Sequence, residues 1–280
     1  MKDLGNSELT LPLIAVPTLV VIAGIYFIWR CWAYRKALLD TNETPWLLMS
    51  KCIARVLGVR VVQNTEYVLY RATLSVYELA RLKIDLRGPI KLLIHLEDKE
   101  FYAHSGVSAK GLVRLLMAVL RVGRWSGGST ITQQLVRSLF IQDRGHLYRR
   151  KIVELIAARW LNRVIPKKLQ LEMYFSAVRF DRGVLGIVAG MQHFLGEVKP
   201  RLSPGESFFL IERISNIRAR LMPEKVDQML CGAVASGLME RGDVQRVIEL
   251  YATAIERGQI IDAGKASLDK LKRAWPAVIE

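Results

Sequence analysis

Apolar residues crowd the start of the chain and recur at helical intervals through most of the rest. From Leu11 to Trp29 no residue is charged. A helix of that length rises just far enough to cross a hydrocarbon core of about 30 Å. Trp29 and Trp32, with Arg30, Arg35 and Lys36, make an interfacial belt behind it. The run is longer than the apolar stretch of a cleavable leader, and no small-x-small cleavage site follows, so it reads as an uncleaved anchor. Asp40 to Pro45 is a polar break, after which Pro45 and Trp46 to Met49 open a new apolar segment. Glu66 to Leu82 is mixed: Val68, Tyr70, Thr73 and Val76 favour a strand, whereas Tyr77 to Leu82 favours a helix. Lys91 to Glu97 is apolar and helical. Gly123 to Ser129 is a glycine-rich loop. Arg149 to Val164 has helical spacing and ends at Pro166, and a further helix follows from Lys168 to Val178. Beyond Pro223 three more helices are expected, at 224–240, 243–257 and 263–277. The pattern predicts a mainly α protein in three parts: an anchor at 1–40, a domain at 45–222 and a helical segment at 223–280.

Charge narrows the choice of partner. The chain has 280 residues, of which 41 are Lys or Arg and 26 are Asp or Glu, a formal net charge of +15. Such an excess suits an anionic partner (nucleic acid, lipid headgroups or a phosphorylated substrate), or else is simply a solvated basic surface. The three cysteines, Cys31, Cys52 and Cys231, have no metal-ligand spacing, and their odd number argues against a disulfide framework.

Four segments hold the candidate chemistry. In Glu97-Asp98-Lys99-Glu100-Phe101-Tyr102-Ala103-His104-Ser105-Gly106, a carboxylate stands at the edge of an apolar element. Partial desolvation suits such a group to general base catalysis, although solvated acids at a helix end would look the same. In Gly127-Gly128-Ser129-Thr130-Ile131-Thr132-Gln133-Gln134, glycines admit close approach by a ligand and the hydroxyls can cap a helix, whose free N–H groups attract phosphate. It is neither a P-loop nor a nucleophile elbow. In Arg149-Arg150-Lys151-Ile152-Val153-Glu154, a second carboxylate sits among cations, or Arg150 and Glu154 form an ordinary exposed pair. From Arg137 to Lys168 there are nine Lys or Arg against two acids, Asp143 and Glu154, a density suited to a diphosphate. Last come Lys167, Tyr174 and the turn Asp181-Arg182-Gly183, which presents an arginine.

In this order the segments resemble the peptidoglycan glycosyltransferase domain of family 51, found in class A penicillin-binding proteins and monofunctional transglycosylases. Glu97 to Gly106 matches Glu-Asp-x-x-Phe-x-x-His-x-Gly, and Gly127 to Gln134 matches Gly-Gly-Ser-Thr-Ile-Thr-Gln-Gln. Arg150 to Glu154 matches Arg-Lys-x-x-Glu. Lys167, Tyr174, Arg182-Gly183 and Gly186 match later motif positions. Ser176 stands where the family has asparagine, Arg179 where it has an aromatic residue, and Arg137 where lysine is frequent.

The resemblance implies a lysozyme-like helical fold with a cleft opening at the membrane. It implies an inverting polymerase joining a growing glycan strand, carried on undecaprenyl diphosphate, to lipid II. Glu97 would take the proton from the acceptor 4-hydroxyl. Glu154 would orient the diphosphate, through a divalent cation (Mg or Mn) or by holding the cations around it. Arg137, Arg150, Lys151 and Arg182 would lie near the phosphates, and Ser129, Thr132 and Gln133 would line the donor site. The metal itself is not assigned. The family acts on the outer, periplasmic face of the bacterial inner membrane, as a single-pass protein here. The basic residues after the anchor favour the opposite orientation, but long domains translocate regardless of flanking charge. Ser267 and Lys270 spell a penicillin-binding S-x-x-K without its companion motifs, so a monofunctional enzyme is expected. Residues 223–280 fall outside the resemblance and read either as an element for docking other cell-wall synthesis proteins or as a helical cap on the domain. Three rival readings remain: a non-catalytic homologue that binds lipid II, a glycan-cleaving enzyme, and a nucleic-acid binder. The last has no recognised module behind it.

Overall fold

The computed structural model describes residues 21, 22, 24–26, 45–109, 111, 113, 129–142, 147–215, 220–262 and 267–276. The expected loop at 123–129 lies outside them except for Ser129, and so do Gly127 and Gly128. The expected anchor at 11–29 also lies outside them, apart from helical residues at 21, 22 and 24–26, where Val21, Ile22, Ile25 and Tyr26 are exposed. Among the described residues no helix is long and apolar enough to cross a membrane.

The domain is mainly helical. α1 (Pro45–Val56), α2 (Thr65–Arg81) and α3 (Arg87–Glu97) precede α4 (Ile131–Phe140), α5 (Leu147–Val164) and α6 (Lys167–Ala177). A two-stranded antiparallel hairpin, β1 (Arg179–Asp181) and β2 (Val184–Leu185), leads into α7 (Gly186–Leu195) and α8 (Pro204–Ser215). β3 (Arg220–Leu221), α9 (Pro223–Ala235), α10 (Arg241–Glu256), β4 (Ile261–Asp262) and α11 (Ser267–Ala274) complete it, with β3 and β4 paired in parallel.

α2 departs from the mixed strand-and-helix expectation, for it is one continuous helix. The Asn64 side chain caps its start by accepting the Tyr67 N–H at 2.9 Å. Thr65, Ala72 and Leu79 are buried along its length, and the helix packs against α6. A cap and a buried face outweigh the strand propensity of Val68, Thr73 and Val76, which is worth a fraction of a kcal/mol per residue.

One core joins nearly every element. Leu93, Phe101, Leu135, Leu161, Tyr174 and Phe175 belong to it, and so do Phe208, Phe209, Val226, Leu230, Val247 and Tyr251. The segment after Pro223 therefore shares its interior with the preceding domain. α8 makes the join, packing on α3 on one side and on α10 on the other. Each buried aromatic in that join contributes about 2–3 kcal/mol by removal from water.

Candidate active site

Glu97 is the last residue of α3 and is half-buried. Its Oε2 accepts a 2.8 Å hydrogen bond from the Gln134 Nε2 on α4. The Gln134 carbonyl oxygen accepts in turn from the Tyr174 hydroxyl at 2.7 Å. Burial, and then the Glu97 charge, pushes the Tyr174 phenol well above its ordinary range, so the hydroxyl stays protonated and donates. A tyrosine on α6 thus orients an amide on α4, which in turn orients a carboxylate on α3.

The next residue, Asp98, ties the same junction together. Its buried carboxylate lies 2.9 Å from His104 Nε2 and accepts the Ile131 N–H at 3.1 Å. His104 Nδ1 accepts the Gly106 N–H at 3.1 Å, so the ring carries its proton on Nε2 and donates to Asp98. Gly106 has φ +90°, and a Cβ there would run into the Ala158 carbonyl oxygen on α5. Its own carbonyl accepts the Thr130 hydroxyl at 2.7 Å. This pins the segment after Glu97 to the start of α4.

α4 begins with a reciprocal capping box. Thr130 Oγ1 accepts the Gln133 N–H, and Gln133 Oε1 accepts the Thr130 N–H. With Ile131 N–H taken by Asp98, the expected open helix N-terminus for phosphate is largely occupied from inside the protein. Positive charge comes from side chains instead.

That charge surrounds Glu154, which is fully buried on α5. Arg137 grips it from α4, with Nε 2.7 Å from Oε1 and Nη2 3.0 Å from Oε2. Lys151 Nζ lies 3.2 Å from Oε2. Arg150 Nε stands 3.1 Å from Oε1, yet its N–H is not aligned for a hydrogen bond. Burial would raise the Glu154 carboxyl, but the hydrogen bonds and charge of Arg137, aided by Lys151 and Arg150, hold it below its ordinary value. Burial lowers the Lys151 ammonium, and Glu154 offsets this only in part. Burial likewise opposes the Arg137 charge, and the Glu154 bonds more than restore it. Three cations around one carboxylate leave a net positive nest.

Ser129 reaches the same nest. Its Oγ accepts from Lys151 Nζ at 2.6 Å and lies 3.4 Å from Arg137 Nη2. Gln133 is buried and accepts from Lys151 Nζ at 2.8 Å. Thr132 is fully buried and donates to Gln170 Oε1 at 2.8 Å, facing the core between α4 and α6. Arg182 is exposed on the β1–β2 turn, and no hydrogen bond or ion pair among the described residues ties its guanidinium to the nest. The structure therefore gathers Glu97, Ser129, Gln133, Arg137, Arg150, Lys151 and Glu154, and leaves Thr132 and Arg182 outside that network.

Both Glu154 oxygens are engaged by cations, and no group of three or more His, Cys, Asp or Glu suited to a metal occurs among the described residues. A divalent ion at Glu154 would have to displace Arg137 or Lys151, so the donor set does not fit one.

Gln134, Asp98 and Gln170 escaped the sequence reading as site residues. The signal for Gln134 was its place in the glutamine pair of the second motif. Gln170 had none, since its partner Thr132 lies 38 residues away.

A helical domain thus holds one half-buried carboxylate beside a buried nest of cations, an arrangement whose chemistry suits group transfer from an anionic leaving group. A sequence model of the Transglycosylase family matches residues 87–230, just over half of the chain and inclusive of both carboxylates. The chain belongs to the transglycosylase family. It is similar to the biosynthetic peptidoglycan transglycosylase of Dechloromonas aromatica, with 26% identity over 205 residues, covering 71% of this chain and 83% of that protein. Penicillin-binding protein 1A of Rickettsia prowazekii is 34% identical over 140 residues, 49% of this chain and 18% of that protein. Penicillin-binding protein 1F of Bacillus subtilis is 33% identical over 170 residues, 55% of this chain and 24% of that protein. The chain spans roughly a fifth of the length of these two penicillin-binding proteins.

Proposed function

We propose that the chain is a peptidoglycan glycosyltransferase that polymerises lipid II into glycan strands. The observation behind this reading is the joint placement of Glu97 and the Arg137–Arg150–Lys151–Glu154 nest on the two sides of one helical turn of α4. Glu97 takes the proton from the 4-hydroxyl of the acceptor sugar as its oxygen forms a bond to the anomeric carbon of the donor. The bond from that carbon to the diphosphate breaks, with inversion, and undecaprenyl diphosphate leaves. A weak hydroxyl nucleophile needs such a base, and a departing diphosphate needs fixed positive charge in a site shielded from water. Arg137, Arg150 and Lys151 supply that charge without a metal, and Glu154 keeps them packed together. Ser129 stands at the edge of the donor site, with Thr132 and Gln133 supporting it from beneath. Arg182 meets the substrate from its turn.

In this reading residues 11–29 anchor the protein in the inner membrane, and the domain acts on the outer face, where the lipid-linked substrate is presented. Confinement to the bilayer raises the encounter rate with such a substrate, and the basic surface adds attraction to anionic lipid.

The test is polymerisation of purified lipid II by the full chain in detergent, beside Glu97→Gln. Polymer from the parent and none from the variant supports both the reaction and its base. No polymer from either, with lipid and divalent cation varied, would overturn the reading in favour of a non-catalytic homologue.

A further inference from the structure

At the far end of α3 from Glu97, a cavity of about 660 Å³ opens between the first turn of α3, the start of α8 and the turn after α9. α3 has 11 residues, so Arg87 at the mouth of the cavity lies about 15 Å along the helix from Glu97.

Its chemistry is one-sided. Arg87, Lys91 and Arg201 border it, against the single carboxylate of Asp85. Asp85 is already committed: Arg87 Nη2 sits 2.7 Å from its Oδ2, and its Oδ1 accepts the Arg87 N–H at 3.0 Å. The Arg87 hydrogen bonds hold that carboxyl far below the ordinary range, so it stays ionised. The Lys91 and Arg201 side chains are exposed, and neither makes a hydrogen bond or a close ion pair among the described residues, although Arg201 adds to the pull on Asp85. Two positive charges are left over.

One further donor borders the same space. Gly88 lines it at the second position of α3, where a backbone N–H has no acceptor within the helix. Ser207 forms part of the wall through its carbon skeleton, for its Oγ is closed off from solvent. The remaining wall is mainly apolar, with Leu92, Leu202 and Leu238 beside Ser203.

We propose that this cavity binds a phosphomonoester carried on an apolar body. Two surplus cations match the double negative charge of such a group. The Gly88 N–H matches one of its oxygens, and the leucines match its body. The site belongs to the same helix as Glu97 but touches none of the catalytic nest. A lipid headgroup and a free phosphate ester present this same chemistry.

The probe is phenyl phosphate, titrated calorimetrically into the full chain in nonionic detergent, with phenol and inorganic phosphate as partial ligands. Saturable binding that weakens with salt is expected, tighter than for either part alone. Lys91→Gln with Arg201→Gln should weaken it at least about tenfold, the scale of two lost charge-assisted bonds. Displacement by nanodiscs containing phosphatidate, but not by phosphatidylcholine nanodiscs, would identify a lipid headgroup as the source. Absence of displacement would identify a soluble ester. The proposal fails if phenyl phosphate does not saturate the protein. It also fails if the Lys91 and Arg201 variants bind like the parent while Arg137→Gln abolishes binding, which would put the ion in the catalytic nest.

Discussion

Gln134 and Arg137 lie one turn apart on α4, and each holds one of the two carboxylates of the site. Gln134 bonds Glu97 at 2.8 Å, and Arg137 bonds Glu154 at 2.7 Å. Their Cα atoms are separated by a rise of about 4.5 Å, so one helical turn couples Glu97 to the cation nest. Gln134→Leu removes the bond to Glu97 and leaves the Tyr174 hydroxyl unpaired. We expect kcat to fall about 10–100-fold with little change in KM, since the loss concerns positioning of the base. Gln134→Glu instead sets a like charge beside Glu97. It should move the acidic limb of the pH–rate profile upward, and an unmoved limb in that variant would show that Gln134 does not govern the base.

Glu154 is the counter-charge that lets three cations pack closely. Glu154→Gln leaves Lys151 and Arg137 buried without an anion, and we expect a loss of about 3–5 kcal/mol, read by denaturant unfolding. The carboxyl is held below its ordinary value in the folded protein. Its contribution is therefore complete above the unfolded value of about 4.3 and is lost as pH falls through the folded one. The parent should lose stability in acid more steeply than Glu154→Gln. Parallel acid profiles for the two proteins would show that the pair adds nothing to the native state.

Much of this was readable along the chain, for reasons that differ from place to place. α5 and α6 announce themselves through apolar spacing and the break at Pro166. Glu97 and Glu154 stand out through motif resemblance. The strand-like residues of α2 mislead because its helix is decided by Asn64 and by packing against α6, neither of which propensity registers. The division at Pro223 misleads because composition changes there while the core does not: Phe209 packs edge-on against Tyr251, with ring centroids 5.0 Å apart across it. The Thr132–Gln170 and Asp98–Ile131 bonds join residues 38 and 33 positions apart, so only the folded chain could reveal them.

Gly106 is the tightest packing point beside the site. At φ +90°, with the Ala158 carbonyl oxygen in the way of any side chain, alanine is strained twice over. Gly106→Ala should cost about 2–4 kcal/mol, measured as a fall in thermal midpoint. It should also displace the carbonyl that receives the Thr130 hydroxyl, so lipid II turnover should fall below the level that lost stability explains. Full turnover at a temperature where the variant is folded would remove Gly106 from the positioning of α4.

Lys167 gives the clearest test in alkaline solution. Its Nζ is buried without a hydrogen-bond partner and rests 4.1 Å from the centre of the Phe101 ring. Burial lowers it to about 8, against a smaller opposing pull from Asp98. Between pH 8 and the unfolded value of about 10.4, the unfolded chain holds a proton that the native protein does not. Stability from this group must then rise with pH across that window, the reverse of the usual lysine that gains a partner. Lys167→Met relieves the buried charge and keeps the contact with Phe101. At pH 7 it should be more stable than the parent by about 1 kcal/mol, a figure reduced for the partial exposure of the site. The difference should shrink toward pH 10.4 as the parent lysine loses its proton. Unfolding free energies at pH 7, 8.5 and 10 decide the matter. A constant difference between the two proteins across that series would mean that Lys167 does not titrate with folding.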